Sequence, residues 1–222
     1  MQLRASYIAQ TLEDVTAAWH LLYKVYLEAG YIKPNPLEIH INPKAITKET
    51  LVVLNKIGNE VVGTVSGVTD CLGILPLDSI YHNELQDLRK NGAILTEICL
   101  FADISFFDKR YRSRDTLLDM IAYVFTFGVM MNCTHFVCGV NPRFTKMYQH
   151  IFGFQQIGDV KLYCGVDKMP VVLLVADFEN MLENSLTNPA LDYFIRHPKI
   201  IRDRFVMNPD MFDQVVDSGE NY

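Results

Sequence analysis

The sequence predicts a mixed α/β fold, and three patterns predict it. Two β-branched runs in "TLVVLNKIGNEVVGTVSGVTD" flank Gly58-Asn59, a good two-residue turn, and read as an antiparallel hairpin. Downstream, apolar stretches suited to strands alternate with stretches of helical period, as crossover connections require. The composition supplies a core: 222 residues, 50% hydrophobic and 21% charged, suit one domain or one domain with an appendage.

In chain order, Leu3 to Ala9 reads as a first strand. Thr11 to Ala29 reads as a helix, with Thr11 as cap, Glu13 and Asp14 in the first turn and Gly30 at the end. Residues 31–48 hold three prolines and form a loop region before the hairpin. Pro76 and Asp78 open a short helix that closes near Asn91-Gly92, and Ala93 to Ala102 follows as a strand. Ser113 to Met131 is a long helix whose apolar stripe is Leu117, Leu118, Ile121, Val124, Phe125, Gly128 and Val129. His135 to Val140 is a strand, Pro142 to Phe152 a helix, and Phe154 to Ile157 and Val171 to Ala176 are strands. Beyond Asp177, Pro189, Pro198 and Pro209 punctuate three short helical patterns, and "DSGENY" has the composition of a disordered end. The division expected is a domain over 1–178 and a helical C-terminal extension over 179–222.

Several function classes fall away on composition. A formal charge of −6 leaves no basic excess to meet a nucleic-acid backbone. The five cysteines, Cys71, Cys99, Cys133, Cys138 and Cys164, are odd in number and form no CxxC pair. That argues against a disulfide framework or a zinc knuckle and for a reducing cytoplasm. The six histidines show no metal-ligand spacing, so no metal site is expected. "MQLRASYIAQ" lacks the apolar segment of a signal peptide. Ile121 to Val140 is apolar enough to mislead a hydropathy scan, but Asn132, Thr134 and His135 interrupt it and its second half is strand-like. It reads as a buried helix followed by a buried strand, and no transmembrane segment is expected.

Four groups of residues can carry chemistry. Glu97 sits inside the apolar strand "AILTEICLFAD", where alternation puts Leu95, Glu97, Cys99 and Phe101 on one face. A carboxylate there is either paired with an arginine or held as a general base with a raised pKa. Arg110, Arg112 and Arg114, in "DKRYRSRD", stand at a helix N-terminus that favours an anion; a solvated basic turn is the plainer reading. Tyr148 is either core with its hydroxyl on a partner or a proton donor to a departing thiolate. Cys99 reads as a buried, inert thiol before it reads as a nucleophile.

Five quoted pieces, "LLYKVYLEAGYI", "LGILPLDSIYHNELQDLRKNG", "LTEICLFAD", "NPRFTKMYQHIFGFQQIGDVKLY" and "KMPVVLLVADF", together resemble the GNAT acyltransferase fold. Within it they are most similar to the long-chain N-acyl amino acid synthases, relatives of the acyl-homoserine-lactone autoinducer synthases. The resemblance covers about residues 5–178. It implies a mixed sheet with a splayed strand pair, and transfer of a fatty acyl group from a thioester to the amine of an amino acid. No tightly bound cofactor is implied. The donor is acyl-phosphopantetheine on acyl carrier protein or CoA, and the partners are that carrier and a small amino acid or amine.

By this resemblance Glu97 assists deprotonation of the amine, main-chain N–H groups near Cys99 and Leu100 hold the oxyanion, and Asn141 starts a helix at the pantetheine channel. Tyr148 protonates the leaving thiolate, and Arg110, Arg112 and Arg114 meet the phosphate and the carrier. Leu95, Phe101, Phe106, Phe107, Phe125 and Phe136 are the expected lining of an acyl groove. Two departures stand: Glu97-Ile98-Cys99 replaces the family's frequent Glu-x-Ser, and Leu100 replaces the arginine of autoinducer synthases. They leave amide formation in place and put lactone signalling and the amine's identity in doubt. A non-catalytic acyl-carrier or lipid-binding module and a CoA-dependent small-acyl acetyltransferase are the rival readings.

Overall fold

The computed structural model describes residues 4–71, 73–108, 114–163, 169–185 and 187–208. An eight-stranded sheet forms the middle layer, in the order β1-β2-β3-β4-β5-β8-β6, with β7 beside another part of β8. Its first half is β1 (Arg4–Ile8), the hairpin of β2 (Thr50–Ile57) and β3 (Glu60–Thr69), and β4 (Leu95–Asp103), all antiparallel neighbours. The second half is β5 (His135–Val140), β6 (Gln155–Gln156), β7 (Lys161–Tyr163) and β8 (Met169–Asp177). The two halves join through β4 and β5, which run parallel across the crossover helix α3 (Arg114–Met130).

Strand alternation sends each strand's apolar residues to two layers. Leu51, Val53, Val65, Phe136, Cys138, Val172 and Leu174 pack beneath α3. On the opposite face, Val52 and Leu54 pack on α1 (Leu12–Glu28), and Val68, Leu95, Val137, Val171 and Leu173 pack with Leu85 of α2 (Asp78–Lys90). The sheet is thus covered on both sides, and its central strands are apolar on both faces.

Local signals explain the element ends. Thr11 caps α1, its hydroxyl accepting from the Asp14 N–H at 3.1 Å, and Gly30 at φ 71° turns the chain out. After Asn141 and Pro142 a 3₁₀ turn over Pro142–Phe144 leads into α4 (Thr145–Phe152), which Gly153 ends in the left-handed region. The Ile121–Val140 stretch is the expected helix and strand, and among the described residues no helix is long and apolar enough to cross a membrane.

Several expectations need correction. The Phe154–Ile157 strand shrinks to two residues, and β7 was not foreseen because three residues are too few to show alternation. Val129 of the proposed α3 stripe is 45% exposed, while Met120, Ala122 and Phe127 off that stripe are buried, since α3 is enclosed on more than one side. Past the sheet come α5 (Phe178–Asn184) and α6 (Pro189–Arg196), but among the described residues no helix follows Pro198. Residues 199–208 instead cross the molecule without regular structure: the Lys199 N–H donates to Thr126 Oγ1, the Phe205 N–H to the Ala9 carbonyl, and Met207 is buried on the α1 side. The "DSGENY" end and the pattern after Pro209 lie outside the described residues.

Candidate active site

β4 and β5 pair over only three positions, Leu95 with His135, Thr96 with Phe136 and Glu97 with Val137. Beyond Glu97 the strands part, so main-chain groups on the facing edges have no strand partner. Such groups need a partner from elsewhere, and a ligand backbone or carbonyl is one.

A bulge sets the shape of the β4 edge. Thr64 pairs with Ala102 and Ser66 with Cys99, so Leu100 and Phe101 both stand opposite Val65. Leu100 has φ 48°, an uncommon conformation for a residue with a large side chain. The extra residue reverses the alternation: Leu95 and Cys99 pack on the α1/α2 face, Leu100 joins them, and Phe101 turns to the α3 face with Ile98. The expected shared face of Glu97 and Phe101 is therefore corrected, because the strict two-residue period fails at Leu100.

Glu97 is 2% exposed and forms no ion pair among the described residues. Its Oε2 accepts from the Leu77 N–H at 2.9 Å. Burial pushes its pKa up to about 8, against the opposing hydrogen bond from Leu77. An arginine does lie nearby, but it is engaged with other acids. Arg89 donates to Asp70 at 2.5 Å and binds Asp78 through both terminal nitrogens at 2.7 Å, while Asp70 also accepts from the Gly73 and Ile74 N–H groups and Asp78 from that of Leu75. This staple fixes the loop that presents Leu77 to Glu97.

Tyrosines surround the opening. Tyr163 of β7 is pushed up to about 12 by burial and then by Glu97 and Cys99, and its hydroxyl accepts from Asn42 Nδ2 at 2.8 Å. Tyr26 of α1 is raised by burial and next by Cys99, and its ring lies 4.9 Å from that of His40. His40 is pushed down to about 4 by burial and stays neutral at pH 7. On the α3 side, Tyr148 is half-buried against Phe152 and Phe154. Its phenol is raised by burial, then by Cys138 and Tyr26. Tyr26 itself packs with the α1-side core.

The expected residues are placed unevenly. Glu97 is the last paired residue of β4, Cys99 and Leu100 lie just past the parting, and Tyr148 packs on the α3-side core. Cys99 is raised well above the ordinary thiol range by burial and then by Glu97, which suppresses the thiolate a nucleophile needs. Asn141 Oδ1 accepts from the Arg143 N–H at 3.1 Å and so caps the turn into α4. Arg110 and Arg112 lie outside the described residues; Arg114 begins α3. Of the expected groove, Phe101, Phe125 and Phe136 share the α3-side core, Leu95 lies on the opposite face, and Phe107 is 46% exposed. Tyr26, Asn42 and Tyr163 were missed: a tyrosine in an amphipathic helix reads as core, and Asn42 and Tyr163 meet only in the folded chain. Among the described residues, no group of three or more His, Cys, Asp or Glu side chains is arranged to hold a metal ion.

A sheet that parts between parallel central strands, with flanking helices on both faces, matches GNAT-like acyltransferase structures, and this chain is an acyltransferase of that fold. Its family follows from residues 17–177, which match the model for the N-acyl amino acid synthase FeeM; the chain belongs to that family. The structure of FeeM, an N-acyl amino acid synthase from uncultured soil microbes, is 22% identical with a TM-score of 0.69, over 81% of this chain and 94% of that one. The acyl-homoserine-lactone synthase LasI is 15% identical with a TM-score of 0.59, over 92% of this chain and all of that one. BjaI, a CoA-dependent acyl-homoserine lactone synthase with SAM and isopentyl-CoA, is 14% identical with a TM-score of 0.59, over 98% and 100%. No curated protein matches the sequence.

Proposed function

We propose that this N-acyltransferase moves a long-chain fatty acyl group from a carrier-protein thioester to the amine of an amino acid. One observation carries the reading: a buried carboxylate with no ion pair among the described residues stands at the last paired position before β4 and β5 part, with Tyr148 packed on the other face of the sheet. Amine and thioester then approach from opposite faces and meet in the opening.

Glu97, held near 8, is ionised in useful proportion at neutral pH and takes a proton from the ammonium. The free amine attacks the thioester carbon, a C–N bond forms, the C–S bond breaks, and the nitrogen's second proton passes to the departing sulfur, which leaves as the thiol while Glu97 returns its proton to solvent. Unpaired main-chain N–H groups near Cys99 and Leu100 meet the oxyanion. Tyr148 hydrogen-bonds the departing sulfur. Its raised pKa keeps it a donor throughout and makes outright proton loss costly, so stabilising the thiolate is its main part. Asn141 shapes the entry to α4, and Arg110, Arg112 and Arg114 receive the phosphate of the arm and acidic carrier residues. We place the protein in the cytoplasm, in keeping with Cys71, Cys99, Cys133 and Cys138 all being free. Residues 1–178 form the catalytic domain in this reading, with 179–222 as its extension.

The long chain rests on the α3 face. Phe125 lies 4.2 Å from Phe136 and 4.8 Å from Phe194, ring to ring, and Phe152 stacks on Phe194. These rings border an apolar cavity of about 270 Å³ between α3, α5 and α6, lined by Phe125, Val129, Leu191 and Phe194, which is the room we assign to the chain. Burial contributes roughly 0.8 kcal/mol per methylene before ordering costs.

The test is a chain-length series, on carrier protein and on CoA, against a mixture of amino acids with mass detection of N-acyl products. The reading expects kcat/KM to climb steeply from two carbons, then level, with the carrier-bound donor preferred. A maximum at acetyl on CoA favours the small-acyl acetyltransferase instead, and bound ligand without any product favours the binding module.

A further inference from the structure

The segment between α1 and β2 reaches the Glu97 side of the opening. Pro43–Ala45 forms a 3₁₀ turn, with Asn42 Oδ1 accepting from the Lys44 N–H at 3.0 Å. The same Asn42 donates from Nδ2 to the Tyr163 hydroxyl at 2.8 Å. Ala45 is buried with Leu77, Val137 and Leu95, around Glu97, and its carbonyl accepts from Thr50 Oγ1 at 2.8 Å. The turn is therefore tied to β7, to β2 and to the core under the acid.

Lys44 stands on this anchored turn. Its side chain is exposed and makes no hydrogen bond or ion pair among the described residues. The cations felt by Glu97 are Lys44 and Arg89. Arg89 is committed to Asp70 and Asp78, so of these two cations Lys44 is the one without an ion pair among the described residues. A free amino acid carries its carboxylate one carbon from its amine. An acceptor whose amine faces a buried carboxylate needs a cation close by, and the turn tied to Tyr163 and to the Leu77, Leu95 and Val137 cluster carries one. A simple amine or amide makes no use of it.

We infer that Lys44 receives the carboxylate of the acceptor while its amine faces Glu97, and that Asn42 positions the lysine by holding its main chain. This rests on the acceptor being an amino acid, as proposed above. A charge-assisted hydrogen bond of about 1.5–3 kcal/mol corresponds to roughly ten- to hundredfold in affinity.

The experiment compares an accepted amino acid with its carboxamide, on the full-length protein with one acyl donor, for wild type, Lys44→Arg, Lys44→Ala and Lys44→Glu. Wild type and Lys44→Arg should prefer the acid. Lys44→Ala should raise the KM for the acid about ten- to hundredfold, with kcat falling little and the preference over the amide lost. Lys44→Glu should invert the preference. Thermal unfolding of each variant monitors the fold. If Lys44→Ala keeps the preference for the acid, or loses rate equally on acid and amide, the carboxylate contact is overturned while amino-acid acylation stands. If wild type acylates amines but no amino acid, both readings fall together.

Discussion

Two acids lie close together in this molecule, and their surroundings treat them in opposite ways. Asp78, the first residue of α2, feels burial that raises its pKa, but the hydrogen bonds from Arg89 and Leu75 outweigh it and hold the carboxyl below its ordinary range. Glu97, at the parting of β4 and β5, is buried more deeply, with one main-chain N–H and then the charges of Lys44 and Arg89 in opposition, and rises to about 8. The first region spends its charges on itself and becomes a rigid loop. The second leaves a carboxylate uncompensated, which a fold tolerates at a cost and which chemistry can use.

Replacing Glu97 by Gln separates the two roles most strongly. Loss of a general base should lower turnover about 10²–10⁴-fold. Stability should move the other way. The folded pKa of Glu97 is raised, so its contribution is fully present below its ordinary value of 4.5 and is lost as pH rises through about 8. The variant should therefore match wild type near pH 4.5 and exceed it at pH 8 by on the order of a few kcal/mol. Denaturant unfolding across that window, beside turnover, checks both signs. A variant that keeps its turnover removes Glu97 from the mechanism.

Arg89→Leu addresses the other region. Removing one partner from a buried, hydrogen-bonded pair leaves Asp70 and Asp78 uncompensated and should cost roughly 3 kcal/mol. The Asp78 contribution is present above its ordinary carboxylate value and lost as pH falls through the depressed one, so the deficit should persist at neutral pH and narrow in acid. Urea midpoints at neutral and acid pH measure it. A loss confined to turnover, with the midpoint unmoved, would mean that the staple is not what holds the loop.

These regions differ in how legible they were. Glu97 announced itself as a charge in an apolar strand, and the hairpin, α1 and α3 followed from turn chemistry and period. Phe101 was put on the wrong face because nothing in "EICLFAD" marks Leu100 as left-handed; the bulge arises from pairing with β3, which alternation along one strand does not record. The Arg89 staple joins residues 11 and 19 positions apart, and Asn42 meets Tyr163 across 121 positions. Contacts of that separation are made by topology, so Tyr26, Asn42 and Tyr163 entered the site only with the fold.

Gly139 gives the smallest effect and the sharpest link between the two regions. A Cβ on Gly139 would stand 2.6 Å from Leu77 Cδ2 and 2.9 Å from Val171 Cγ1, both buried side chains. Val171 is β-branched and stiff, so Leu77 is the group that gives way. Overpacking of this kind costs about 1–2 kcal/mol. Leu77 also supplies the N–H that opposes the rise in the Glu97 pKa. Moving it weakens that hydrogen bond, so Glu97 should rise further and the ascending limb of kcat/KM against pH should shift to higher pH. Gly67→Ala is the control. Its Cβ would stand 2.6 Å from Val124 Cγ1, on the α3 face and away from Leu77. It should cost similar stability and leave the limb where it is. If both variants move the limb alike, general loosening of the sheet explains the shift and Leu77 loses its role. If Gly139→Ala alone moves it, the loop that Arg89 holds rigid is what sets the acid in the opening.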